Sequence, residues 1–353
     1  MRICHLPIEI AGQLALSVDG LRSIGQTAVG MAEPHRFRYP IDRRITLPTL
    51  DWRGEFVFGA RVAELLLRRF DVFHYHFGRA LHERYLDPQL FKALGASVVV
   101  EFWGSDIRSP RTEHAKNPFF PADLFPSSRE KKVKRTIEKW SKLTNGIVVV
   151  SDHTFNEILE PYFQTIYIVG QRVPLDNYQV GESSEKRRPR VVHAPSRRAI
   201  KGTDKILKGI EELRIEGVEF DFFLMENASN EEVKKQCQDA DIIIDQIILG
   251  SHGVFALECM AMGKTVITYI REEFENGYPH ELPVVNANPH TFKNKLAMCV
   301  SNRKFCQEMS LRARRYVEKI HDHRKVGRRL LKIYENTKTG GHPTGIVDLR
   351  RWH

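Results

Sequence analysis

The sequence predicts an α/β protein with two doubly wound domains, each a parallel sheet covered by helices. Short β-branched runs alternate with longer amphipathic stretches along the chain, and most of the short runs are apolar throughout. Alternation is typical of strand–helix–strand units, and continuous apolar runs are typical of strands buried on both faces. The length of 353 residues is enough for about two domains.

The same patterns give the expected elements. In the first half, strands are expected at residues 2–6, 71–76, 97–103, 146–151 and 166–169. In the second half, strands are expected at residues 190–194, 220–225, 241–248, 265–270 and 284–286. Helices are expected at residues 56–69, 127–143, 205–215, 231–239 and 323–336.

A polar, aperiodic stretch with proline near both ends, residues 174–189, is typical of a linker. The expected domains are therefore residues 1–173 and residues 190–322, followed by a C-terminal helix and a partly disordered tail at 323–353. Ligands of doubly wound sheets bind at the carboxyl ends of the strands. We therefore expect a site in a cleft between two facing domains.

Composition narrows the function classes. The net charge of +10 favours anionic partners, but no zinc-finger spacing, RNA-recognition signature or arginine-rich tail is present, so nucleic acid is not expected. The five cysteines form no C-x-x-C pair and indicate reduced core thiols. No apolar run reaches the ~18 residues of a membrane span. We therefore expect a cytoplasmic protein.

A loop rich in cations follows the strand expected at residues 190–194. Arg197 and Arg198 lie in this loop, and Lys201 and Gly202 open the next helix. Cations at the carboxyl end of a strand, beside a helix N-terminus, suit a diphosphate. The alternative is a solvated basic loop.

A second candidate segment follows the strand expected at residues 241–248. Backbone amides of Gly253, Val254 and Phe255 would open a helix and could hold phosphate oxygens. Glu258 stands one turn further on an otherwise apolar helix, where a carboxylate is costly to bury without a partner. The hydroxyls of a ribose, or a core Arg or Lys, could supply that partner. Glu226 and Asn227, after the strand expected at 220–225, are weaker candidates for contacting a base or ribose.

Three stretches carry a resemblance to a known family: "RRAIKGTDKIL", "DADIIIDQIILGSHGVFALECMAMGKTVITY" and "LPVVNANP". They resemble glycosyltransferase family 4, whose GT-B fold consists of two Rossmann-like domains. The resemblance implies that Arg197 or Arg198, with Lys201, binds the diphosphate of a nucleotide sugar. It also implies that the Gly253 loop supports the diphosphate and that Glu258 holds the ribose hydroxyls.

In the first domain the resemblance is carried by "EIAGQLALSVDGLRSIG" and "VVVEFWGSDIR". It implies that the backbone at Gly12 approaches donor phosphate and acceptor, and that Asp106 contacts sugar or acceptor. The bland alternative for Asp106 is a turn or helix-capping role. The candidate catalytic residues are therefore Asp106, Arg198 and Lys201. Trp103 stands where the family often has histidine.

The chain departs from the family at one further position. The family has a first glutamate eight residues before the second, but Gly250 stands there in this chain. Its contact with the donor sugar is then lost or supplied by Asp245, Gln246 or His252. For His252 the alternative is a loop histidine that points into solvent.

The sequence therefore predicts a glycosyltransferase that moves a sugar from a nucleotide-diphosphate sugar to an acceptor hydroxyl, with retention of configuration implied by the resemblance. No cofactor and no metal is expected. The expected acceptor is a glycan or a lipid-linked glycan, and the basic helix at residues 127–143 leaves a peripheral membrane contact open beside a plain surface helix. The alternatives are a nucleotide-sugar epimerase on the same fold and a catalytically inactive partner or sugar-binding protein.

Overall fold

Helices and parallel strands alternate along the chain in the computed structural model, which describes residues 1–34, 39–121, 128–180 and 188–352. Contacts group the chain into two compact units. The first unit comprises residues 1–108, 128–172 and 323–353, and the second comprises residues 109–127 and 173–322.

Every expected strand lies within two residues of its expected bounds. Along residues 1–172 the elements are β1 (Arg2–Leu6), α1 (Gln13–Arg22), β2 (Thr27–Ala32), β3 (Arg43–Arg44), α2 (Trp52–Leu67), β4 (Val72–His76), α3 (Leu86–Ala93), β5 (Ser97–Phe102), α4 (Pro110–Lys116), α5 (Ser128–Leu143), β6 (Ile147–Val150), α6 (Asn156–Leu159) and β7 (Thr165–Ile168). Along residues 173–352 they are β8 (Arg190–His193), α7 (Arg198–Lys201), α8 (Thr203–Ile215), β9 (Asp221–Leu224), α9 (Asn230–Asp239), β10 (Ile242–Gln246), α10 (Val254–Ala261), β11 (Thr265–Thr268), α11 (Glu272–Glu275), β12 (Val285–Asn286), α12 (Phe292–Ser301), α13 (Arg303–Ile320), α14 (His323–Thr339) and β13 (Gly345–Asp348).

The first unit contains a parallel sheet in the order β13-β7-β6-β5-β4-β1-β2-β3. Its central strands are buried on both faces, since Val98 and Val100 of β5 belong to one apolar cluster and Val99 belongs to another. This two-sided burial explains the continuous apolar runs of the sequence. The direction in which strands are added reverses between β1 and β4, so the carboxyl ends of these two strands flank the switch point of the sheet.

Helix α14 belongs to the first unit, where it packs against α1. The two helices cross where Gly20 meets Gly327, and a Cβ atom on Gly20 would lie 2.2 Å from the carbonyl oxygen of His323. The sequence after α14 was expected to be partly disordered, which is wrong for the described residues. There, β13 pairs with β7, Gly345 opposite Thr165. Strand β13 has only two apolar residues, between a glycine and an aspartate that are both rare in strands, so the sequence does not mark it.

The second unit contains a parallel sheet in the order β12-β11-β10-β8-β9. Its switch point lies between β8 and β10, whose carboxyl ends lead into the two candidate loops. The expected linker contains a helical turn at Leu175–Asn177, and residues 181–187 of that linker lie outside the described residues.

One expectation from composition is confirmed. All five cysteines are buried and free. Among the described residues no helix combines the length and the apolar character that crossing a membrane would require.

Candidate active site

The switch point of the second sheet brings together the two loops that the sequence selected. The loop after β8 leads through Arg197, which precedes α7, to Lys201 at the end of that short helix. The loop after β10 leads to Gly253, which precedes α10. Ligands of this sheet order bind at such a switch point.

Lys201 and Gly253 meet at Asp245, the residue before the last of β10. The Lys201 Nζ atom donates to Asp245 Oδ1 at 2.5 Å, and the Gly253 amide lies 3.4 Å from Asp245 Oδ2. The Asp245 side chain is fully buried, whereas that of Lys201 is 12% exposed. The Asp245 carboxylate therefore lies where the Lys201 ammonium and the N-terminus of α10 come together. The same two groups could bind a phosphate oxygen.

The two arginines beside Lys201 are exposed, and Arg198 is engaged by two acids. Its guanidinium donates to Glu226 Oε2 and to Asp204 Oδ1, both at 2.7 Å. Arg197 has extended backbone at the start of α7. Asn227 follows β9, is exposed and adopts a left-handed conformation with φ of 55°.

His193 stabilises the region around Lys201 through two hydrogen bonds. Its Nδ1 atom lies 2.8 Å from the carbonyl oxygen of Ile244, which can only accept, so Nδ1 carries the proton. Its Nε2 atom then accepts from the Thr203 hydroxyl at 2.9 Å. Burial lowers the pKa of His193 to about 4, so the imidazole is neutral at physiological pH.

Glu258 lies one turn into α10, as the sequence predicts, and its hydrogen-bond partner is a tyrosine, while the charge of Lys234 also acts on it. The Tyr178 hydroxyl is hydrogen-bonded to it, and burial raises the pKa of Glu258 to about 7 against the opposing effect of that hydrogen bond. Val254 and Phe255 form the first turn of the same helix and are partly buried. A carboxylate with a raised pKa near a helix N-terminus would gain from a ligand that donates hydroxyl groups to it.

The structure gives a physical reason for the glycine at position 250. Gly250 has φ of 80°, and a Cβ atom there would lie 2.3 Å from Cγ of Arg271. The Arg271 guanidinium is buried and pairs with Glu113 and Glu273. A glutamate at position 250 would therefore clash with this arginine.

Three residues could take the place of the glutamate that is absent at position 250, and the structure gives each of them different surroundings. The Gln246 side-chain amide donates to Ser251, Thr268 and Tyr269 and accepts from the amides of residues 248 and 249, so it braces the loop. His252 is 6% exposed with its ring 5.2 Å from that of Tyr278, so a solvent-facing histidine is wrong. Asp245 borders Lys201 directly.

In the first unit, Asp106 makes the contacts of a turn residue. Its carboxylate accepts from the amide of Trp103 at 3.1 Å and from that of Gly104 at 2.7 Å. Burial raises its pKa to about 6. The group is thus held in place and still titrates near neutrality.

Gly12 precedes α1 with φ of 79°, and a Cβ atom there would lie 3.0 Å from the Tyr39 ring. The amides at the start of α1 already have an acceptor in the chain. Glu9, which is buried, accepts from the Ala15 amide at 2.9 Å. A phosphate at this helix terminus would therefore compete with a resident carboxylate.

A fully buried cluster lies near the switch point of the first sheet. Arg172 donates to both carboxylate oxygens of Glu101, at 2.6 and 2.9 Å, and this pair borders the rings of His5, His74 and His76. Among the described residues these three histidines have the composition of a metal site, with ring nitrogens within 4.8 Å of one another. The Nδ1 atom of His5 and the Nε2 atom of His76 are hydrogen-bonded to each other at 2.8 Å, and a dication there would face the Arg172 guanidinium. We call these five residues the histidine cluster.

Trp103, which stands where the family often has histidine, packs on this cluster. The Arg172 guanidinium carbon lies 5.0 Å from the centre of the Trp103 ring, and the His76 ring stacks at 6.1 Å. The indole therefore covers the cluster from one side.

Solved structures of glycosyltransferases share this fold. Sucrose-phosphate synthase from Thermosynechococcus elongatus superposes with a TM-score of 0.65 at 10% identity, over 96% of this chain and 100% of that one. HepE from Anabaena, solved with UDP and glucose, gives a TM-score of 0.61 at 10% identity, over 95% and 99%. A putative UDP-N-acetylglucosamine 2-epimerase from Listeria monocytogenes gives 0.59 at 12% identity, over 98% and 100%. The fold is GT-B. No family model and no curated protein matches the sequence.

The sequence reasoning missed the partners that hold the candidate residues. Asp204, which binds Arg198, looks like an ordinary surface acid in the sequence, and Glu226 was selected for a base or ribose rather than as a partner of Arg198. Tyr178 lies in the expected linker, where no pattern marks it. Asp245 was selected only as a replacement for the missing acid, although its position near the carboxyl end of a buried strand could also have paired it with Lys201.

Proposed function

We propose that this chain is a retaining glycosyltransferase of the family 4 type that transfers a sugar from a nucleotide-diphosphate sugar to an acceptor hydroxyl in polysaccharide or glycolipid synthesis. One observation carries the proposal. At the switch point of the second sheet, the Lys201 ammonium and the Gly253 amide at the start of α10 lie next to each other. Glu258 follows one turn further along α10. This set matches a ligand that combines phosphate with vicinal hydroxyls.

In this proposal the diphosphate lies at Lys201 and the amide of Gly253, and Arg197 or Arg198 adds a second cation. The leaving diphosphate gains negative charge as the bond to the sugar breaks, and fixed cations and amides stabilise that charge. Glu258 accepts the ribose hydroxyls. Asp245 is a positioning residue that holds the Lys201 ammonium and the Gly253 loop in register.

Binding of nucleoside diphosphates tests the donor site directly. Thermal unfolding is followed with UDP, GDP and ADP for the wild type, Lys201→Ala, Glu258→Ala and Lys208→Ala. Lys208 is exposed on α8 and matches Lys201 in charge. A ligand at a hundredfold excess over its dissociation constant stabilises by about 2.7 kcal/mol, so one nucleotide is expected to raise the midpoint.

That shift is expected to fall by about half or more in Lys201→Ala and Glu258→Ala and to persist in Lys208→Ala. Equal loss in Lys208→Ala would mean that net charge alone causes binding. Absence of any shift in the wild type would overturn the donor site.

The second candidate, favoured by the fold of the Listeria epimerase, is epimerisation of a nucleotide sugar. An epimerase changes its substrate without an acceptor, whereas a transferase needs one. Incubation with the nucleotide sugar alone, followed by nuclear magnetic resonance of the sugar, separates the two. A new stereoisomer would replace our proposal, and nucleotide binding without turnover on any acceptor would favour a sugar-binding protein.

A further inference from the structure

The first unit contains a cavity of about 910 Å³ beside α5 and the loop that follows β4. The loop after β5 contributes Ser105 and Asp106 to its lining. Loops at the carboxyl ends of strands are where doubly wound sheets bind ligands. The cavity therefore lies where a ligand of the first unit is expected, and it contains a candidate catalytic residue of the proposed transfer.

The lining is strongly basic. Seven lysines and arginines and three acids line the cavity among the described residues. Four of the cations, Lys132, Arg135, Lys139 and Lys142, recur at helical spacing on one face of α5, and Arg79 comes from the loop after β4. On an ordinary surface helix, cations can lie on any exposed face. On α5, the four cations share one face, and that face lines the cavity.

Four of these cations have no carboxylate partner among the described residues. Within the described ranges, Arg79, Lys132, Arg135 and Lys139 form no ion pair with a carboxylate, although α5 contains an internal pair between Lys134 and Glu138 at 3.9 Å. Converging cations repel one another, so a multiply charged anion in the cavity would relieve that repulsion.

Part of the cavity lining is apolar, and hydrogen bonds fix the loop that contributes to it. Leu81, Val133 and the ring of Tyr85 form this part, and the Lys139 ammonium lies 4.7 Å from the centre of that ring. Asp87 fixes the loop by accepting from the amides of Leu81 and His82.

A further hydrogen bond fixes the loop at Gly78, which also lines the cavity. The buried Trp140 indole donates to the carbonyl oxygen of Gly78 at 2.8 Å. Arg79 therefore projects from a fixed backbone, so the site is preorganised for an anion attached to an apolar or sugar group.

We infer that this cavity binds a phosphate-bearing acceptor. That the ligand is the acceptor rests on the proposed function, whereas the affinity for phosphate rests on the cavity alone. The phosphate would lie against Arg79, Lys132 and Arg135. The two arginines can make charge-assisted, bidentate contacts with phosphate, and the lysine adds a single charged donor. The attached group would lie on Tyr85 and Leu81. A free sugar phosphate and a lipid phosphate share this chemistry.

The test uses inorganic pyrophosphate as the probe and calorimetry on the full chain. Lys201→Ala serves as the background, because it removes the phosphate contact of the proposed donor site. In that background, Lys132→Gln with Arg135→Gln is compared with Arg328→Gln with Lys332→Gln on α14. Both pairs remove two charges from exposed helix positions of the first unit, and only the first pair lines the cavity.

We expect one pyrophosphate to bind in the background, with an affinity about tenfold or more weaker in the cavity pair, since a charged hydrogen bond contributes about 1.5–3 kcal/mol. The matched pair is expected to change the affinity less than twofold. Equal loss in both pairs, or no binding in the background, would overturn the inference. Pyrophosphate binding that persists here while nucleotide binding fails would reject the donor site and keep this one.

Two further arms identify the source of the phosphate. Sedimentation with phosphatidylcholine vesicles containing 20 mol% phosphatidic acid tests a lipid phosphate, and competition by glucose 6-phosphate tests a soluble one. Either result supports the inference when the cavity pair abolishes it and the matched pair does not. If the cavity pair leaves both unchanged, the cavity is not a phosphate site.

Discussion

The histidine cluster of the first unit and the Lys201 site of the second occupy corresponding places in their sheets and are built in opposite ways. Both lie at the carboxyl side of parallel strands that flank a switch point. In the cluster, Arg172, Glu101 and the three histidines are completely buried and contact one another. In the second unit Lys201 retains an exposed fraction, and Arg197 and Arg198 lie at the surface.

This difference distinguishes charged groups that stabilise the fold from charged groups that are available to bind a ligand. Charges that satisfy one another inside a protein fix its fold and leave nothing for a ligand. Cations that gather at a helix N-terminus near solvent keep part of their hydrogen-bonding capacity for an incoming anion. A perturbed pKa appears in both places, so the pKa alone would not have distinguished them.

The largest expected effect comes from breaking the buried pair of the histidine cluster. Arg172→Ala leaves the Glu101 carboxylate buried and uncompensated, which destabilises by about 3–5 kcal/mol. All four tryptophans, Trp52, Trp103, Trp140 and Trp352, belong to the first unit, so urea unfolding followed by their fluorescence reports on that unit. Adding Glu101→Gln is expected to recover part of the loss. A loss below about 1 kcal/mol would mean that water reaches the pair.

The next effect concerns Glu258 and has a defined sign. Its pKa of about 7 lies above the ordinary 4.5, so the folded state binds more protons between these values and loses stability as the pH rises. In the ligand-free protein Glu258→Gln is therefore expected to stabilise at pH 8, by up to about 3 kcal/mol, and to change little near pH 4.5.

Circular dichroism during urea unfolding measures this, with the exposed Glu211→Gln on α8 as control. The same Glu258 variant is expected to lose nucleotide affinity. If the variant were more stable and still bound nucleotide with normal affinity, Glu258 would have no role in nucleotide binding.

The third effect sharpens the role of Lys201. Lys201→Ala is expected to weaken nucleoside diphosphate binding about 10- to 100-fold, the contribution of one charge-assisted hydrogen bond. Because it also leaves Asp245 buried without its cation, some stability is lost as well. Adding Asp245→Asn is expected to restore stability and not affinity, measured by calorimetry. Recovery of affinity in the double variant would show that Lys201 acts only by neutralising Asp245.

Much of the fold could be predicted because buried parallel strands leave a strong pattern. The strands at Ile147–Val150 and Thr265–Thr268 are β-branched runs, and the sequence marks them clearly. Strands β2, β3 and β13 were missed, since Thr27–Ala32 is rich in alanine and glycine, Arg43–Arg44 has no apolar residue, and Gly345–Asp348 begins with glycine and ends with aspartate. Their positions depend on pairing with distant strands, which no local pattern encodes.

Part of the candidate site could be predicted in the same way, because Lys201, Gly253 and Glu258 have fixed offsets from strand ends. The partners could not be predicted. Asp245 reaches Lys201 across 44 positions, and Arg271 excludes a side chain at position 250 across 21. Such contacts arise from the packing of the whole sheet, and a single sequence does not show them.

The smallest effect sharpens the comparison through pH. Burial lowers the pKa of His5, His74 and His76, so these rings stay neutral in the folded state while the unfolded chain takes up protons near pH 6.5. Stability is therefore lost as the pH falls below 6.5, by about 1 kcal/mol per histidine at pH 5.5, opposite in sign to the effect of Glu258.

Tryptophan fluorescence during urea unfolding at pH 7 and 5.5 measures the loss for the wild type and His76→Gln. The variant is expected to lose about 1 kcal/mol less on acidification, since it has one proton fewer to gain on unfolding. The exposed His290→Gln serves as control and is expected to follow the wild type. If His76→Gln also followed the wild type, the histidine cluster would exchange protons with solvent while folded, and its difference from the Lys201 site would disappear.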